Sequence, residues 1–311
     1  MKKLLIFGYS GFVGPYLAKQ FANDGYEVFG SDLIDKNSDR LLSAFLVADV
    51  TKKEQVEFVI NSVQPNVIVN LAAISSVGQS WKMPDTTILV NVIGSLNILQ
   101  VATKLDEKPK IMFVGSSEEF EASDKPIGIN GKLNSNNPYG LSKLIQERFA
   151  ELYRKQYGLK IYCVRPFNHI GIGQRDSFVI PSFCKQVAEI ERSGKSDSIY
   201  VGDISVYRDF SDVRDVTRAY KMIVDSDDDD VIYNVGSGKA YQIKELLEYI
   251  ISLSNQKINI AFDQERYRPL DTPFICCDYS KIKEDLGWEP EYDIKETIKE
   301  LYFHYLNGSD A

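Results

Sequence analysis

The chain is poor in cysteine and histidine, has no surplus of positive charge and contains no long apolar run. Its four cysteines among 311 residues, Cys163, Cys184, Cys276 and Cys277, follow neither a disulfide framework nor zinc spacing. They read as reduced thiols, with no metal site. Histidine occurs only twice, and His169, isolated in a loop, reads as structural rather than as an acid or base. With 36 basic against 44 acidic residues the formal charge is −8, which argues against a global field for a nucleic-acid backbone. An anionic ligand must therefore meet local cations. No 18 apolar residues run together, and the N-terminus enters a strand without a charged leader and cleavage site. A cytoplasmic protein without a membrane span is the expectation.

Hydrophobic residues make up 44% of the chain, enough for a sizeable core. Short β-branched runs at 4–7, 27–30, 44–47, 67–70, 111–114 and 161–164 alternate with helical patterns at 12–23, 53–62, 86–104 and 139–157. This is the rhythm of an α/β fold with a doubly wound, Rossmann-like parallel sheet. Further helices are expected at 178–192 and 212–224, with a late strand at 231–235 that rejoins the sheet. Residues 242–254, 257–262 and 294–305 read as a smaller α/β piece. The expected division is a dinucleotide-binding part, 1–168, rejoined by about 207–236, and a substrate part made of 169–206 and 237–311. The acidic run at 225–230 reads as a solvated loop, because clustered carboxylates repel one another.

After the first strand, Gly8, Gly11 and Gly14 in the turn Gly8-Tyr9-Ser10-Gly11-Phe12-Val13-Gly14 let the backbone approach a pyrophosphate at a helix N-terminus. The alternative is a turn that merely packs helix on strand. Eighteen residues past Gly14, Asp32 can accept hydrogen bonds from both adenosine ribose hydroxyls. That favours NAD(H) and leaves NADP(H) open, should Lys36 or Arg40 fold over a 2′-phosphate. Asp49-Val50 can meet the adenine, and Leu71, Ala72 and Ala73 present small residues where backbone passes the dinucleotide; plain strand ends are the alternative for both.

Ser116, Ser117 and Glu118 follow the fifth strand at the carboxyl edge of the sheet, where ligands of open α/β folds bind. Tyr139 and Lys143 lie four residues apart on one helix and share a face. A cation there would pull the phenol below its usual value near 10. A serine hydroxyl holding a substrate oxygen, a tyrosine passing the proton and a lysine on the nicotinamide ribose make a set for carbonyl chemistry. The serines can alternatively cap the turn.

With these residues in hand, the chain resembles the nucleotide-sugar branch of the extended short-chain dehydrogenase/reductase family. The match runs in order through Gly115-Ser-Ser-Glu-Glu119, Arg165-Pro-Phe-Asn-His-Ile-Gly-Ile-Gly-Gln174, Ser177-Phe-Val-Ile-Pro181, Tyr207-Arg-Asp-Phe-Ser-Asp-Val-Arg-Asp215, Arg268-Pro-Leu-Asp271 and Leu286-Gly-Trp288. Phe120-Glu121 departs from the usual Tyr-Gly. The resemblance implies that Ser116, Tyr139 and Lys143 are catalytic, with Glu118 beside the sugar. It places Asn91 and Pro166 with the dinucleotide. It places Ser75, Asn168, Val179, Lys185, Arg208, Arg268 and Asp271 with a GDP-sugar. It implies reduction of the C4 ketone of a GDP-linked 4-keto-6-deoxy sugar, with 4,6-dehydration or epimerisation as rivals. A homodimer joined by a four-helix bundle of 86–104 and 139–157 is also implied.

Overall fold

Strands buried on both faces need apolar residues at successive positions, and this protein's N-terminal half supplies them. The structure is a computed structural model that describes residues 1–34, 41–226, 232–266 and 272–308. Its early strands are β1 (Lys3–Phe7), β2 (Glu27–Asp32), β3 (Ala44–Val47), β4 (Val67–Asn70), β5 (Lys110–Val114) and β6 (Ile161–Pro166). Later strands are β7 (Asn168–Ile170), β8 (Asp197–Val201), β9 (Tyr207–Asp212), β10 (Ile232–Val235), β11 (Ala240–Gln242), β12 (Ile258–Phe262) and β13 (Phe274–Ile275).

A seven-stranded parallel sheet runs in the order β10-β6-β5-β4-β1-β2-β3. The fold is therefore the expected Rossmann-like α/β architecture. Strand order reverses between β1 and β4, which opens a crevice at the carboxyl ends there. Period-two alternation splits β1 between the two faces. Leu4 and Ile6 join the core of α1 (Val13–Asn23), whereas Leu5 and Phe7 join that of α2 (Lys53–Val63).

The helix expected over 86–104 starts earlier and is composite. After α3 (Val77–Lys82), α4 (Pro84–Ile88) passes through a π turn at Leu89–Ile93 into α5 (Gly94–Ala102). Among the described residues this run, Pro84–Ala102, is the one long and apolar enough to cross a membrane, at mean hydropathy 1.3. Its Ile98, Leu99, Val101 and Ala102 are buried in the protein's own core. The next helix is α6 (Pro138–Tyr157), which begins where Asn137 accepts the Gly140 N–H at 2.9 Å and Pro138 takes the first turn.

The remaining helices are α7 (Val179–Ser193), α8 (Val213–Asp225), α9 (Ile243–Ser252), α10 (Ser280–Leu286) and α11 (Ile294–Leu306). Helix α8 packs beside α1, and β10 closes the large sheet. By contrast β9 lies in a small sheet with β7, β11 and β13, while β8 pairs with β12. Leu246, Leu247 and Ile250 of α9 meet Ile298 and Leu301 of α11 and Val187 of α7 in a second core. Each such buried side chain contributes about 1.5–3 kcal/mol. All four cysteines are buried free thiols.

Candidate active site

The glycine turn is tied down by geometry at two positions. Gly8 has φ +78°, and a Cβ there would lie 2.4 Å from the Ala72 nitrogen. At Gly14 a Cβ would come within 2.0 Å of the Tyr9 carbonyl oxygen. Larger residues would push α1 off the sheet. Asp32, at the end of β2, accepts the Ser10 N–H at 3.0 Å and the Leu33 N–H at 2.7 Å, fixing the turn against the neighbouring strand. Helix α1 starts at Val13 with neither a side-chain cap from Phe12 nor an acidic residue in its first turn. Free N–H groups at that end suit the negative charge of a pyrophosphate.

Beyond the turn, Asp49 is half-buried and accepts the Thr51 N–H at 2.9 Å, and Val50 is buried against Gly94. Leu71 donates to the Phe7 carbonyl at 2.8 Å and Ala72 to Asn70 Oδ1 at 3.1 Å, with Ala73 following, half-buried. Asn91 sits in the π turn. Its Oδ1 accepts the Ile74 N–H at 2.9 Å, and its Nδ2 donates to the Ile74 carbonyl at 3.1 Å and Ser142 Oγ at 2.8 Å. Both amide hydrogens are thereby engaged within the protein. Asn91 braces the loop after β4 against α6 rather than offering those hydrogens to a dinucleotide. Lys36 and Arg40 lie outside the described residues.

At the end of β5 the chain turns sharply through Ser117–Glu119. Ser116 Oγ accepts the Glu118 N–H at 3.1 Å, so it does cap the turn, and its side chain lies close enough to the Tyr139 phenol to act on its acidity. Ser117 is buried within the turn. The Tyr139 backbone donates to Ser80 Oγ of α3 at 3.1 Å. Contact with the turn is so close that a Cβ on Gly140 would lie 2.1 Å from the Glu118 carbonyl oxygen. Asn137, which the sequence reading did not single out, donates to Glu118 Oε2 at 2.8 Å. One residue thus starts α6 and aims the carboxylate.

The electrostatics correct one expectation. Burial raises the Tyr139 phenol well above its ordinary value, against the lowering effect of Ser116, and Glu118 and Glu119 raise it further. Lys143 is itself buried. Its Nζ donates to the Val114 carbonyl at 2.7 Å and Gln146 Oε1 at 3.3 Å, and burial lowers it to about 8 while Glu119 opposes that. Spacing along a helix shows a shared face but not the water lost on folding.

On the facing side, Pro166 ends β6 and Asn168 opens β7, half-buried and paired in register with Phe210. His169 stacks on Phe12 with centroids 5.9 Å apart, and burial lowers its basicity. Val179 is exposed at the start of α7, and Ser75 is exposed before α3. Lys185 forms an ion pair with Asp176 at 2.6 Å. Arg208 on β9 is buried and donates to the Tyr207 carbonyl at 2.7 Å. Arg268 and Asp271 lie outside the described residues.

Comparison with known proteins agrees with this geometry. The family model for GDP-mannose 4,6 dehydratase matches residues 5–301. GDP-6-deoxy-D-mannose reductase of Pseudomonas aeruginosa is 30% identical over 240 residues, 76% of this chain and 79% of the relative. The structure of RMD from the same organism complexed with NADPH superposes with TM-score 0.86 at 26% identity, covering 99% of both chains. UDP-glucose 4-epimerase from Brucella ovis in complex with NAD superposes with TM-score 0.87 at 25% identity, covering 98% of this chain and 99% of the other. The chain belongs to the GDP-mannose 4,6-dehydratase family of extended short-chain dehydrogenase/reductases.

Proposed function

We propose that this family member reduces the C4 ketone of GDP-4-keto-6-deoxy-D-mannose to a GDP-6-deoxyhexose such as GDP-D-rhamnose, using NAD(P)H. The observation that carries the reading is the buried Tyr139 phenol placed with buried Ser116 and Lys143 at the carboxyl edge of the large sheet. Likeness to the Pseudomonas reductase supports the substrate class.

A nicotinamide dinucleotide supplies hydride chemistry when bound. Gly8 to Gly14 would hold its pyrophosphate, Asp32 its adenosine ribose, Asp49 and Val50 its adenine, and Leu71 to Ala73, Lys143 and Pro166 its nicotinamide half. Asp32 favours an unphosphorylated ribose. Residues 1–168, with the later return to the sheet, form this half of the site. Residues 169–206 and 237–311 form the sugar half, whose Val179, Lys185, Arg268 and Asp271 take the GDP-sugar together with Ser75, Asn168 and Arg208 from the dinucleotide half.

The chemistry of the chain's own groups follows from their protonation. Tyr139 is neutral at pH 7, as an ordinary phenol is, and burial extends that to higher pH, so it can give a proton to the ketone oxygen as that oxygen gains charge. Ser116 orients the same oxygen. Lys143, a cation below about pH 8, adds positive charge nearby. Such fixed donors lower the barrier because they need no reorganisation during reaction.

Glu118, held by Asn137 at 2.8 Å, favours a second reading, the 4,6-dehydratase, in which it would take the C5 proton. The two part in one assay. The reductase consumes GDP-4-keto-6-deoxy-D-mannose with NADH or NADPH and leaves GDP-mannose untouched without added reductant. Turnover of GDP-mannose alone would assign the dehydratase, and turnover of neither would end both readings.

Assembly is also proposed, as a homodimer through α6 and the composite helix. Leu141 and Leu152 on α6 are 47% and 60% exposed, and Leu89 and Ile93 are 45% and 38% exposed. A four-helix contact with a second copy would cover them. Sedimentation should give a dimer that Leu152→Asp weakens; a wild-type monomer at micromolar concentration would remove the assembly.

A further inference from the structure

Behind Ser116 and Lys143 lies a group of charges that no step above uses. Glu119 is fully buried at the end of the turn after Ser116. Its Oε1 reaches back to accept the Ser116 N–H at 2.8 Å. The carboxyl fills the space above Gly115 so closely that a Cβ there would lie 2.3 Å from Oε1. Oε2 faces Arg165 Nε at 3.7 Å, beyond hydrogen-bond range, and has no hydrogen-bond partner among the described residues.

Arg165 is occupied elsewhere. Its Nε and Nη2 hold the two oxygens of Glu147 at 2.9 and 2.6 Å, and its Nη1 donates to the Ile129 carbonyl at 3.2 Å. Glu147 lies four residues after Lys143 on α6. Two carboxyls thus crowd one guanidinium, and the other cation acting on Glu119 is Lys143, whose Nζ sits on the carbonyl of Val114, the residue before the Gly115 that the Glu119 carboxyl covers. In turn, the charge opposing neutralisation of Lys143 is that of Glu119. With all four ionised, two negative and two positive groups balance where water is excluded. Removing one would leave a net buried charge.

We propose that Glu119 is a positioning residue for the Ser116–Tyr139–Lys143 set, fixing Ser116 through its backbone N–H and serving as the buried counter-charge that keeps Lys143 an ammonium. The inference rests on the assignment of Lys143 to the cofactor end, while its measurement does not depend on which sugar is reduced. The titratable and charged groups around the pair are Tyr139 and Glu147 from α6, Arg165 and Cys163 from β6, and Glu118 from the turn itself. Burial and Glu147 push Glu119 up to about 8, and burial brings Lys143 down to about 8. Ionised Glu119 opposes the effect of burial on Lys143, so taking its charge away would bring the lysine lower still.

The test is a titration of the lysine 13Cε resonances in the intact protein, with the Lys143 signal assigned by its loss in Lys143→Met. In Glu119→Gln the amide oxygen can still accept the Ser116 N–H, but the charge is gone. The Lys143 midpoint should move to lower pH by about half a unit or more, and the alkaline limb of kcat/KM should move with it. Glu119→Asp keeps the charge and should hold the midpoint near that of the wild type. An unmoved midpoint in a folded Gln variant overturns the proposal. Should that variant not fold, infrared spectra of the wild type decide. A buried carboxylate throughout, or a buried carboxyl C=O band lost as the pH is raised, supports the proposal, and a band that survives into alkaline solution refutes it. If GDP-sugar reduction fails while the midpoint shifts, only the substrate reading falls.

Discussion

Around Ser116 the polar side chains are buried and bonded to one another, whereas around the start of α7 they stand largely in solvent. Tyr139 and Lys143 are 9% and 3% exposed, while the Lys185 and Asp176 side chains are 35% and 51% exposed. A buried group is held in one geometry by its neighbours and needs no rearrangement when charge develops. An exposed pair exchanges partners with water at little cost. Under the proposed function the first region serves a reaction common to many substrates, and the second the recognition of one of them. For this reason the reaction class is easier to read than the sugar.

Two substitutions test that contrast, beginning with the larger effect. Tyr139→Phe keeps the buried ring but removes the proton donor, so kcat should fall by about 10²–10⁴-fold with dinucleotide affinity intact; near-normal turnover would break the contrast. Lys185→Ala removes an ion pair with an exposed carboxylate from the free enzyme, worth at most about 1 kcal/mol, so Tm should hardly change. Losing a charged contact to a diphosphate should instead raise KM for the sugar nucleotide roughly tenfold or more, with kcat held. A fall in kcat as large as that of the tyrosine variant would mean that both regions serve the chemistry.

The same contrast explains what could be read from the chain alone. Of strands β1 to β6, all but β2 carry at least three successive apolar residues, and the expected limits of all six lie within two residues of the observed ones. The short strands β7, β11 and β13 have two or three residues and carry too little pattern to register. Helices α3 and α10, at six and seven residues, escaped for the same reason. At the site, glycine spacing and the Tyr139–Lys143 interval were visible because they are local. The Arg165–Glu147 pair spans 18 residues and the Asn137–Glu118 bond spans 19, so no neighbouring residues announce them. Nor does composition report burial, which reversed the expected direction for Tyr139.

The π turn at Leu89–Ile93 makes the length of that segment matter as much as its composition. It holds one more residue per turn than a regular helix. A one-residue deletion there would restore ordinary winding and leave the two halves in phase, because four residues of regular helix turn through about the same 400° as five of the wider turn. Gly94 would stay on Val50 and Asn97 on the Val50 carbonyl it now meets at 2.8 Å, but Asn91 would lose the place from which it holds Ile74 and Ser142. An added residue would instead put the halves about 100° out of phase, so shortened variants should outnumber lengthened ones among folded clones from an indel library.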